Sequence, residues 1–136
     1  MEIHAAEAEQ YGSARALADS FGSPVFEPRW WPKNAGAVGY WLDRLPSSAH
    51  YRIGSTRPDG TPICVLGRPE NRTGRLPEGD WYQPPELAAL RGLVRTNGAQ
   101  VHAVIHDEQQ TIHLIGYASE AEVVRAVGSF RRVTAA

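Results

Sequence analysis

The stretch that most constrains the fold of this chain is QVHAVIH, followed by DEQQ and then TIHLIGY. Apolar and polar side chains alternate on both sides of a polar break at Asp107 to Gln110. Alternation with a period of two around a polar reversal predicts a β-hairpin, because successive strand side chains point to opposite faces. With His106 opposite Thr111, Val104 faces His113 and His102 faces Ile115. Ala103, Ile105, Ile112 and Leu114 then form one apolar face that must lie beneath another layer. His102, His106 and His113 share the other face. A slip of one residue sends His113 to the apolar side, so register decides whether the histidines meet.

The remaining pattern is of short elements. Thirteen glycines and ten prolines in 136 residues point away from a long helical bundle. Residues 5–21 read as a helix, with Leu17 and Phe21 four apart and Gly22 as its stop. Gly12 is a weak point in it. PVFEPRWWPKNAG (24–36) is extended and crosses one sheet edge. AVGYWLDRL (37–45) reads as a strand. AHYRIGST (49–56) and PICVLG (62–67) pair across the turn Arg57–Gly60, where Pro58 presets one angle and Asp59-Gly60 accepts the reversal. Residues 68–80 form a long polar loop. Pro84 and Pro85 start a short helix that turns Leu87 and Leu90 inward. Asn97-Gly98 marks another reversal. SEAE at 119–122 is a capping box. It opens a helix with Val123, Val127 and Phe130 as core stripe, and with Arg125, Arg131 and Arg132 near its C-terminal end, favourable for the dipole. The expected architecture is α+β in two layers, an antiparallel sheet of about five strands with helices packed on one face. The expected organisation is a single domain over 1–136, with residues 1–10 a loose N-terminal arm.

Charge narrows the function classes. Fourteen basic and fifteen acidic residues leave a net charge of −1, so no global field draws the chain to nucleic acid or an anionic membrane. No window approaches the ~20 apolar residues that span a bilayer. The N-terminus has no apolar signal-peptide core, and a soluble cytoplasmic protein is expected. Abundant Ala, Arg and Gly suggest a GC-rich bacterial source. The single cysteine, Cys64, has no disulfide partner within the chain and sits among apolar neighbours, which predicts a structural thiol.

Three constellations can carry chemistry. In the assumed register, His113 is a diagonal neighbour of both His102 and His106, at about 7–8 Å. His102 and His106 are roughly 13 Å apart along their strand. A pair can therefore meet an ion more readily than the triad. The plainer reading places all three on the wetter face of a hairpin. RWWPK combines Trp30 and Trp31 with cations, a mixture that stacks on ligands or partners; Trp41, Trp81 and Tyr82 can join it. The structural alternative makes one of the paired tryptophans a plug at the sheet edge. GRPENRTGR presents Arg68, Arg72 and Arg75 as a clamp for phosphate or carboxylate, although it lacks the Walker spacing and is equally a solvated loop. No carboxylate spacing among Asp43, Asp80, Asp107 and Glu108 singles out an acid–base pair. No nucleophile elbow occurs.

SPVFEPRWWP, YRIGST with GTPICVLGR, and IHLIGYASEAEVVRAVGSF together resemble small bacterial α+β domains of unknown function found in some secreted or anti-sigma-type proteins. The resemblance runs from Pro24 to Val133. It implies a curved antiparallel sheet with a packed helix, and it brings no catalytic residues. No stretch of these residues reads as the signal or anchor usual in that pattern, so a placement outside the cytoplasm is not expected.

The residues together predict a binding or interaction domain without catalysis, contacting a protein or small ligand through Trp30, Trp31, Arg68, Arg72, Arg75, Trp81 and Tyr82. No cofactor, nucleic acid or membrane span is expected, and a homodimer is. The alternative is a metal-binding or hydrolytic site at His102, His106 and His113.

Overall fold

A computed structural model describes residues 7–46, 48–69, 76, 78–107 and 110–135. Among these, strands β1 (Glu7–Tyr11), β3 (Gly39–Arg44), β4 (Ala49–Thr56), β5 (Pro62–Pro69), β6 (Leu93–Asn97), β7 (Gln100–Asp107) and β8 (Gln110–Gly116) make one sheet. Its order is β1-β3-β4-β5-β8-β7-β6, and every neighbouring pair is antiparallel. Strands β2 (Val25–Pro28) and β9 (Phe130–Val133) form a separate antiparallel ribbon. The helices are α1 (Ala14–Phe21), a 3-10 helix at Pro85–Leu90, and α2 (Glu120–Gly128).

The fold class is the expected α+β with an antiparallel sheet, but the strand number is larger than expected. The four unforeseen strands are β1, β2, β6 and β9. Each is four or five residues long, too short to declare a period of its own. The predicted helix over 5–21 divides instead. Ser13 caps α1 by accepting the Ala16 N–H at 3.1 Å, and residues 7–11 pair with β3 as an edge strand. The alternating Glu-Ala-Glu residues lose their helical preference because β3 offers a ladder, a case of tertiary context overriding propensity. Residues 7–10 are thus a strand and no loose arm. The capping box is present as read, with Glu122 N–H donating to Ser119 Oγ and Glu122 Oε1 accepting from Ser119 N–H. Arg131 and Arg132 belong to β9, beyond the end of α2. Leu87 is buried, but Leu90 is exposed: it is the last helical residue before Arg91 turns left-handed at φ 53°.

In-register positions build the core. Leu42, Tyr51, Gly67, Ile112 and Ile105 succeed one another across five strands, and the four with side chains are buried. Gly67 makes room for Tyr51, whose ring lies 2.1 Å from where a Cβ would stand. Leu17 and Ala18 of α1 and Val123, Ala126 and Val127 of α2 join the same cluster. Full burial of each such aliphatic side chain larger than alanine contributes roughly 1.5–3 kcal/mol. A polar link ties the layers: Tyr51 O–H donates to Gln110 Oε1 at 2.7 Å and accepts the Phe26 N–H at 3.1 Å. Gln110 Nε2 donates in turn to the Pro24 carbonyl at 2.7 Å.

Candidate functional site

The face of the large sheet turned away from the helices carries most of the chemistry-bearing side chains. β7 and β8 pair with His106 opposite Thr111, Val104 opposite His113 and His102 opposite Ile115, the register assumed from sequence. The diagonal neighbours meet: His102 Nε2 and His113 Nδ1 are 2.8 Å apart. His102 is 7% exposed and His113 half-buried. Trp81 covers His102 edge-on, with ring centroids 5.0 Å apart. The Arg95 guanidinium lies 5.2 Å from the Trp81 ring and donates to the Glu78 carbonyl. The chain at 78–81 therefore folds back over β6.

Burial pushes both imidazoles down to about 4, with Arg95 adding to the effect on His102, and His102, Arg68 and His106 adding to that on His113. Both are neutral near pH 7, so one ring nitrogen donates and the other accepts. Two nitrogens sharing a tetrahedral ion at ~2.0–2.1 Å would stand about 3.3 Å apart. The 2.8 Å separation is that of a hydrogen bond. His106 is exposed, with its Nδ1 3.3 Å from Thr111 Oγ1, and it does not join the pair. Among the described residues, no three His, Cys, Asp or Glu side chains are grouped to hold a metal ion.

The aromatic candidates divide between surfaces. Trp30 and Trp31 are half-buried and pack on the core. Trp30 lies on the helix side, with the Arg125 guanidinium of α2 4.2 Å from its ring and its backbone N–H donating to Ser129 Oγ at 3.0 Å. Tyr82 is exposed, pairs by backbone with Val94, and lines a groove against α2. Trp81 and Arg68 belong to the uncovered sheet face, Arg68 opposite Thr111. Arg72 and Arg75 lie outside the described residues.

Apart from Trp41 and His113, sequence reasoning missed the middle of this face. Trp41, Arg52, Leu66, His113, Val104 and Leu93 stand in one row across six strands. Ile115 and Cys64 are opposite each other in the adjacent row. Val104 is buried, and the other residues of these rows are half-buried. Trp41 lies flat over Gly39, 2.1 Å from the position a Cβ would take, and the Arg52 guanidinium sits 5.2 Å from its ring. Arg52 is held by Asp43 in a two-pronged ion pair at 2.5 and 3.0 Å. Strict alternation within each strand marked these positions as sharing a face. Aligning the strands with one another required the register. Burial pushes the Cys64 thiol up to about 11, so it stays protonated and unreactive at neutral pH.

Among the described residues, no helix is long and apolar enough to cross a membrane. No family model, curated protein or solved structure matches the chain.

Proposed function

We propose that this chain is a non-catalytic interaction domain that associates with protein through the sheet face its helices leave uncovered, with a second copy of itself as the first partner. One observation carries the reading: on that face half-exposed Leu66 and Ile115 are diagonal neighbours on β5 and β8, with half-exposed Trp41 two strands away from Leu66 and Leu93 at the far end of the same row. An antiparallel sheet with one solvated face ordinarily turns polar residues outward. Exposed apolar side chains flanked by charged ones are the composition of an interface core and its rim. Here the charged residues are Arg68 and Arg52, the latter standing between Trp41 and Leu66 and paired with Asp43. Because both signs of charge are present, the face does not repel its own copy. The neutral, mutually bonded His102 and His113, and a protonated Cys64, support binding over catalysis.

Sedimentation equilibrium across a concentration series tests this. The wild type is expected to dimerise. Leu66→Glu and Ile115→Glu, with a charge at the centre of the patch, should be monomeric with unchanged circular dichroism. A wild type that stays monomeric, or variants that dimerise equally well, would remove the proposal.

A further inference from the structure

On the helix side, a cleft of about 470 Å³ opens between the turn into α1 and the β2–β9 ribbon. Its walls include Arg15 of α1, Arg29 just beyond β2, and Arg131 and Arg132 of β9, with Glu27 and Tyr40 also lining it. The volume falls in the range of small-ligand sites, roughly 300–1,000 Å³. We infer that this cleft binds a small phosphorylated ligand, holding its phosphoryl group among the four arginines.

The charge balance is the first support. Four arginines and one glutamate line the cleft, a surplus of three positive charges, although the whole chain carries −1. The single carboxylate is already committed. Glu27 is 5% exposed; its Oε1 accepts from Arg131 Nε at 2.8 Å and from Arg131 Nη2, and its Oε2 accepts from Tyr40 O–H at 3.2 Å. Among the described residues, the Arg15, Arg29 and Arg132 side chains have no acidic partner. Like charges around one concavity repel unless a counter-charge fills it.

Preorganisation is the second support. Glu27 grips one side of the Arg131 guanidinium, while about half of that side chain stays open to solvent. Its position is therefore set before a ligand arrives, and its Nη1 remains available. A guanidinium fixed this way loses little freedom on binding. The start of α1 adds to the field, because its first turn contains no acidic residue.

The ligand class follows from charge and shape. A phosphoryl group near neutral pH carries close to two charges on three oxygens, and it accepts from several forks at once. A monocarboxylate has one charge in one plane and leaves most of the surplus unmet.

The test is calorimetric titration of the intact chain with inorganic pyrophosphate, beside citrate as a polyanion without phosphorus. Pyrophosphate should bind with a dissociation constant below about 1 mM and more tightly than citrate. Arg15→Gln and Arg132→Gln, both at exposed positions, should each weaken it about ten-fold, as expected for losing a charge-assisted hydrogen bond. Arg68→Gln on the opposite sheet face should leave it unchanged. Binding that the Arg15 and Arg132 variants do not alter would place the anion elsewhere. Citrate binding as tightly with the same arginine dependence would overturn the phosphoryl assignment. No heat or chemical-shift change with pyrophosphate would overturn the site.

Discussion

The His102–His113 contact makes the stability of the sheet sensitive to acid. In the unfolded chain both imidazoles titrate near 6.5; in the fold both are held down to about 4, chiefly by burial. Between those values the unfolded chain binds more protons than the folded one, so acid favours unfolding. The stabilisation from their neutral form is complete above about pH 6.5 and is lost as pH falls toward about 4. Thermal melts at stepped pH should show wild-type stability falling across this window. A His113→Gln variant should show a shallower fall, because one titrating group is gone. Equal slopes would mean that the pair is solvated in solution. The residues of this pair were legible in the sequence, and so was their diagonal relation. Their depressed titration was not, because it comes chiefly from burial, with Arg95 adding to it at His102 and Arg68 at His113, and these partners lie outside the hairpin.

At the scale of the element, the clearest sequence signals were those that close within a single turn. The capping box at Ser119 and Glu122 is one, since both partners lie on the same helical turn. Ser119→Ala should cost about 1 kcal/mol, as removing a serine N-cap typically does, read as a lower urea midpoint with an unchanged slope. Ser119→Asp should restore most of it. The turn at Arg57–Gly60 is another: Gly60 takes φ 86° and its N–H donates to the Arg57 carbonyl at 2.9 Å. Elements defined by a distant partner were not legible. β2 reads only as a Pro-flanked extended piece until β9 arrives to pair Glu27 with Arg131. β1 reads as helix until β3 supplies its ladder. Arg131 and Arg132 were assigned to a helix end for the same reason, because the helix stops at Gly128 to let the chain re-enter as a strand.

For the whole molecule, the consequential contacts join segments far apart in sequence. Tyr51, Gln110, Phe26 and Pro24 form one buried polar link between the large sheet and the ribbon. Tyr51→Phe strands the Gln110 carbonyl oxygen and the Phe26 N–H in the core, which should cost about 1–3 kcal/mol. Hydrogen exchange should quicken at Phe26 and its ribbon neighbours more than in the centre of the sheet. A neutral substitution with unaltered exchange would show that the ribbon is held by its apolar contacts alone. The register of β7 against β8 was an assumption that the structure matches, and Phe130, read into the stripe of α2, belongs to β9. By itself the sequence determined the α+β class, the central hairpins, the capping box of α2 and its apolar stripe through Val127. Those follow from periodicity and from turns that close within a few residues. Only the tertiary structure decided which short segments become edge strands and how Arg15, Arg29, Arg131 and Arg132 come to line one cleft. Each of these depends on partners contributed by remote parts of the chain, and local spacing carries no record of them.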